Sequence, residues 1–80
     1  MSYIYVLYSR SHDRYYIGST RDLDKRIKAH NSGKVRSTKA FRPWEIVRTE
    51  EYSTYTEARK RENFLKSGVG RKWIRDLFTH

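Results

Sequence analysis

Eighty residues with a formal charge of +9, from 18 lysines and arginines against 9 acids, leave room for one small aromatic-rich core and a surface that favours a polyanionic partner. The absence of cysteine excludes a disulfide framework and any thiolate zinc site. No apolar run approaches the roughly 18 residues that cross a bilayer, and the N-terminus opens on an aromatic strand pattern in place of a signal peptide, so the expectation is one domain over 1–80, cytoplasmic and without a membrane partner.

Residues 2–9 are rich in tyrosine, isoleucine and valine, with Tyr3, Tyr5 and Leu7 on one face and Ile4, Val6 and Tyr8 on the other. Apolar groups on both faces predict a strand covered on both sides, the central one. Ser11-His12-Asp13 supplies a turn, and Tyr15 to Thr20 reads as the returning strand. Asp22 caps a helix to about Asn31, with Leu23 and Ile27 as its stripe and Gly33 as its stop. Arg26 and His30 share that side of the helix by three-and-four spacing and so face the sheet margin.

Residues 33–43 are a basic, apolar-poor loop, and Trp44 to Tyr52 is a third strand. Thr54 followed by Glu57 is a capping box for a helix to about Lys66, closed by Gly68, and a last short helix from about Arg71 presents Trp73, Ile74, Leu77 and Phe78. The fold class is α+β: a three-stranded antiparallel sheet flanked by helices, in the order β-β-α-β-α-α. No repeat or low-complexity tract interrupts it.

The basic residues are not spread evenly. Lys34, Arg36, Lys39 and Arg42 lie in an acid-free stretch from 33 to 44, and Arg59, Lys66, Arg71 and Lys72 belong to a second basic region whose one acid is Glu62. A solvated surface would show the same charge, but two basic regions flanking one carboxylate suit a phosphate backbone with a metal at its centre. DNA and RNA present the same repeating charge.

Glu62 lies among apolar helix positions, four after Ala58 and three before Leu65. A carboxylate there is paired, with Arg26 or Arg59, or metal-bound, because an unpaired buried charge is expensive. One carboxylate plus substrate phosphate is a usual magnesium arrangement. The planar fork of Arg26 suits a phosphoryl oxygen, and His30 is either a satisfied structural histidine or a group that donates to phosphate or passes a proton. Tyr5 and Tyr16, on strands joined by a short turn, either pack or approach each other across the hairpin. Gly18 weakens its strand and leaves space for a backbone or ligand, which a phosphate could use.

These residues in this order resemble the GIY-YIG nucleases, and most closely their small stand-alone bacterial members. The second signature triplet is intact as Tyr16-Ile17-Gly18; the first is Tyr3-Ile4-Tyr5, with tyrosine in place of glycine. Leu23, Arg26 and His30 match a Leu-x-x-Arg-x-x-x-His pattern followed by Asn31. Thr38 and Pro43-Trp44 match the segment before the third strand, and Glu57, Ala58, Glu62 and Lys66 match Glu-Ala-x-x-x-Glu-x-x-x-Lys. The resemblance implies a DNA endonuclease dependent on Mg2+ or Mn2+, in DNA repair or recombination, with Tyr5 as general base, Tyr16 its partner, Arg26 the phosphate clamp and Glu62 the metal ligand. Some DNA-repair members carry a lysine just after the second triplet, where this chain has Ser19 and Thr20. A non-catalytic nucleic-acid-binding module on the same fold is the competing reading. Tyr5 and Tyr16 are expected on one ligand-facing side of the sheet, with Arg26 and Glu62 reaching it from two helices.

Overall fold

Alternation in the first strand decides the layers. In the computed structural model, which describes residues 1–78, β1 (Ser2–Ser9), β2 (Arg14–Thr20) and β3 (Glu45–Tyr52) form one antiparallel sheet in the order β2-β1-β3. The central place expected for β1 is therefore found. Ile4, Val6, Tyr5 and Leu7 are all buried, two on each face, because successive side chains of a strand point to opposite sides.

Helix α1 (Leu23–Ser32) covers one face. Asp22 accepts a hydrogen bond from the Lys25 backbone N–H, and Gly33 ends the helix in the left-handed region at φ 84°, where glycine has no Cβ penalty. Leu23 and Ile27 pack with Tyr5, Leu7, Tyr16, Phe41 and Trp44. Helices α2 (Tyr55–Lys66) and α3 (Gly68–Phe78) cover the other face, where Ala58, Leu65 and Ile74 meet Ile4, Val6 and Ile17. Thr54 caps α2 as expected, accepting from the Glu57 N–H at 3.2 Å.

Three boundaries differ from the sequence reading. Trp44 precedes β3 and is buried on the α1 face; the basic loop contains a short 3-10 turn at Lys39–Phe41. Gly68 does not stop α2: the break falls at Ser67, in an extended conformation, and α3 begins at Gly68 and not at Arg71. Gly70 is the glycine this corner requires. It lies flush against the Phe64 carbonyl and the Leu65 backbone, where a Cβ would collide.

A charged knot pins β3 to α2. Glu50 accepts from Arg61 Nε at 2.8 Å, Arg48 Nε at 2.8 Å and the Tyr52 hydroxyl at 2.7 Å, and both guanidiniums lie over the Trp73 ring. Burial opposes the charge on Glu50, but the bonds from Arg61, Tyr52 and Arg48 outweigh it and hold the carboxyl at about 2. The folded value is below the unfolded one, near 4.5, so the contribution is complete above about pH 4.5 and disappears as pH falls toward 2. Thermal melts across pH should show wild type losing stability over that window while Glu50→Gln is flatter there and less stable at pH 7. The difference should not exceed about 3 kcal/mol.

Candidate active site

Tyr5 and Gly18 are direct cross-strand partners, and the Tyr5 ring lies across the glycine so closely that any Cβ at residue 18 would collide with its hydroxyl end. The Cβ direction of Gly18 is therefore filled by Tyr5, while the glycine itself still lines the smaller of two adjoining cavities. The consequence is positional: a phenol from the central strand crosses β2 and delivers its oxygen to the outer edge of the sheet.

Helix α1 supplies both hydroxyl partners. Arg26 Nε donates to the Tyr5 oxygen at 3.2 Å, and His30 Nε2 lies 3.0 Å from it. On the far side of the imidazole, Nδ1 is 2.8 Å from Thr38 Oγ1. Tyr5 is 1% exposed and His30 fully buried. Burial pushes the Tyr5 phenol up; Arg26 counteracts part of this, and Tyr16 and Glu62 add to it. Burial, then the Arg26 charge, lowers His30 to about 4, which leaves it a neutral imidazole at pH 7.

Tyr16 stands beside this group without bonding to the Tyr5 hydroxyl. Its ring is 6.3 Å from that of Tyr5 and 4.9 Å from His30, centroid to centroid. Among the described residues the Tyr5 hydroxyl is bonded by Arg26 and His30, not by Tyr16.

Glu62 arrives from the opposite direction. Its helix packs on the other face of the sheet from α1, so the expectation that both helices reach one face is corrected: the groups meet around the free edge of β2. Ser19 Oγ donates to Glu62 Oε1 at 2.5 Å, and Lys66 Nζ to Oε2 at 2.5 Å, with an Arg59 nitrogen 3.6 Å from Oε1. The pairing with Arg59 is thus found, joined by Lys66, and Arg26 pairs with Tyr5 instead. Burial works against ionisation of Glu62, which is 4% exposed, yet Lys66, Ser19 and Arg59 together keep its carboxyl below the usual range.

Tyr5, Tyr16, Arg26 and Glu62 line one cavity of about 610 Å³, with Arg59 and Lys66 on its wall. His30 stands behind Tyr5 and does not line it, so its placement fits proton exchange with Tyr5 and not contact with a phosphate. A larger cavity of about 900 Å³, lined by Arg71, Lys72 and Lys66 among others, meets the first at Tyr16 and Lys66. Lys34, Arg36, Lys39 and Arg42 are exposed on their loop and line neither. Sequence reasoning missed Ser19 as a Glu62 partner, although strand alternation places it toward α2. It also missed Arg21 and Tyr55, on the wall of the smaller cavity, and Arg14 in the larger one.

Among the described residues no group of three or more His, Asp or Glu side chains gathers as a metal cage. Glu62 nevertheless fits a magnesium-type ion: it is a buried carboxylate kept ionised on the wall of the cavity, and the Lys66 ammonium already pairs with it there. One carboxylate, water and substrate phosphate are a sufficient ligand set for such an ion.

Comparison with known proteins identifies the family and the fold. The family model described as the GIY-YIG catalytic domain matches residues 1–73. UPF0213 protein YazA of Bacillus subtilis is 42% identical over 59 residues, 72% of this chain and 60% of that protein. A UPF0213 protein of Bacillus pumilus is 39% identical over 77 residues, 95% of this chain and 76% of that protein. The solution NMR structure of UPF0213 protein BH0048 from Bacillus halodurans has a TM-score of 0.57 at 32% identity, covering 98% of this chain and 86% of that one. No helix among the described residues is long and apolar enough to cross a membrane.

Gly18→Ala tests the Tyr5 placement. The methyl group has no room unless the ring moves, so the variant should lose about 1–3 kcal/mol of stability as an overpacked site, and the Tyr5 side-chain resonances should shift strongly. A melt and spectrum equal to wild type would show that the ring does not cross the glycine.

Proposed function

Because the chain belongs to the GIY-YIG family, a family of nucleases, we propose that it is a divalent-metal-dependent endonuclease that hydrolyses DNA phosphodiester bonds. The observation that carries this is the convergence of Tyr5, Tyr16, Arg26 and Glu62 on one cavity from two strands and two helices. Packing alone gives no reason to bring a phenol, a guanidinium and a buried carboxylate from opposite faces to the same edge.

Each group has a distinct task in this reading. Arg26, already donating to Tyr5, holds a non-bridging phosphate oxygen with its remaining N–H groups and offsets charge as the phosphorus becomes five-coordinate. Tyr5 takes a proton from the attacking water. Tyr16, on the wall of the cavity, orients the phosphate by its hydroxyl. Glu62 would hold Mg2+ or Mn2+, which supplies Lewis-acid stabilisation of the leaving oxygen. Lys66 and Arg59 then turn from the carboxylate to the nucleic-acid backbone.

The cavity walls offer arginine, lysine and hydroxyl groups suited to phosphate and sugar, which position a strand without reading its sequence. Discrimination is therefore proposed to be of DNA structure, as at repair or recombination intermediates, and weak toward base sequence. RNA carries the same phosphates and belongs among the substrates tried.

The deciding assay incubates wild type, Glu62→Ala and Arg26→Lys with supercoiled, branched and single-stranded DNA, with Mg2+ or Mn2+. Glu62→Ala should lose at least about 100-fold in rate, and Arg26→Lys about 10- to 100-fold, since an ammonium cannot reproduce the planar fork. Equal cleavage by wild type and Glu62→Ala would overturn the assignment. Wild-type binding without cleavage under either metal would instead identify a binding module that keeps the fold. In a salt titration, affinity should fall steeply, and Lys66→Met should reduce the log–log slope by about one; a flat titration would remove the phosphate-contact account.

A further inference from the structure

Four hydrogen bonds run in series through the α1 face of the site, and donation by Thr38 to the carbonyl at the far end sets the direction of the two bonds that His30 makes. At one end Arg26 Nε, which can only donate, lies 3.2 Å from the Tyr5 oxygen. At the other end the Val35 carbonyl, which can only accept, takes the Thr38 hydroxyl at 3.3 Å. Thr38 Oγ1 has one proton, so with that proton on Val35 it must accept from His30 Nδ1 at 2.8 Å. His30 Nε2 is then without a proton and accepts from the Tyr5 hydroxyl at 3.0 Å. In the opposite direction Thr38 would forgo Val35, His30 would donate to Tyr5, and the Tyr5 proton would point into the cleft.

We propose that Thr38 is a positioning residue for hydrolysis: by holding His30 in the Nδ1–H tautomer it presents a bare Nε2 to Tyr5 and makes His30 the acceptor of the Tyr5 proton. Thr38 is built for this. It is 1% exposed, and its loop is tied down where Trp44 Nε1 donates to the Thr38 carbonyl at 2.9 Å. Asn31 in turn clamps the Trp44 backbone, donating to its carbonyl at 3.0 Å and accepting from its N–H at 2.7 Å.

The proton count closes. As water attacks phosphorus, its O–H bond breaks and the proton passes to the Tyr5 oxygen, while the Tyr5 proton passes to His30 Nε2. Water has become the new P–O bond, Tyr5 is again a phenol and His30 an imidazolium. The imidazolium keeps Nδ1–H on Thr38 throughout, and after release of product it returns its proton to solvent by way of Tyr5. The groups facing the imidazole are Tyr5 from β1, Tyr16 from β2, Arg26 on its own helix and Thr38; the lowered His30 value keeps the ring neutral at pH 7, and the same burial makes its imidazolium short-lived.

The inference rests on the hydrolytic reading, but its first test does not. Two-bond 15N–1H spectra of the labelled full-length chain at pH 7 should show His30 as the Nδ1–H tautomer in wild type and in Thr38→Ser, and a mixed or Nε2–H population in Thr38→Val. With a cleavable DNA, Thr38→Val should lower kcat by about 10- to 100-fold with KM nearly unchanged, and Thr38→Ser should restore most of the rate. Wild-type His30 found as Nε2–H would overturn the proposal, as would a Thr38→Val protein with wild-type tautomer or wild-type kcat. If Thr38→Val fails to fold, the wild-type tautomer and the Thr38→Ser rate decide. If no DNA is cut, the hydrolytic reading fails while the spectra still decide the direction of the chain.

Discussion

The contact between the Tyr5 ring and Gly18 is the constraint on which the rest of the site depends. A residue on a central strand is the most enclosed in a three-stranded sheet, and it reaches solvent only by passing over a neighbour. The missing side chain at Gly18 opens that passage, and the direct pairing of the two residues makes it short. Once the hydroxyl lies at the β2 edge, α1 must bring a donor and an acceptor to it, because a buried phenol without partners would cost about as much as any orphaned polar group. Arg26 and His30, one helical turn apart, meet that demand. The same placement puts the hydroxyl on the wall of the cavity it shares with Arg26 and Glu62.

Two opposite electrostatic regimes meet at that edge. On the α1 side burial wins: the Tyr5 proton is held more tightly and His30 stays neutral. On the α2 side burial loses to Lys66, Ser19 and Arg59, and Glu62 stays ionised. A site that must accept a proton and hold a cation needs this division, since a metal bound to the base would block it and a protonated carboxylate would bind no metal. Distributing the groups over two faces of one sheet keeps the halves apart while the edge keeps them within reach of one phosphate.

Much of this was legible in the sequence. The two-faced apolar pattern of β1 gave its central place, and Asp22, Gly33, Thr54 and Glu57 marked helix ends by backbone chemistry that operates locally. The convergence of Tyr5, Tyr16, Arg26 and Glu62 was legible from motif spacing. What failed was anything decided by packing between distant elements. Gly68 looked like a stop because it follows a helix, but Ser67 makes the turn and Gly70 carries the close approach. Gly18 lines the cavity as expected, but the Tyr5 ring that lies across it was hidden, because a sequence does not say which neighbour fills a gap. The side of the sheet to which α2 returns was equally hidden, since periodicity gives a helix its buried stripe without saying what lies beneath it.

The halves also differ in how they bear disturbance, and this separates structure from function within the site. The partners of Glu62 stand near water: the Lys66 and Arg59 side chains are 42% and 52% exposed. Removing the carboxylate returns both cations to solvent, so the usual penalty for breaking a buried pair, which comes from the charge left behind, is largely avoided. The partners of His30 have no such exit. Thr38 and Tyr5 are 1% exposed, and loss of the imidazole would leave the Tyr5 proton without its acceptor in the core. The carboxylate side can therefore exchange partners, as the proposed uptake of a metal would require. The imidazole side cannot, and its rigidity suits the fixed tautomer proposed for His30.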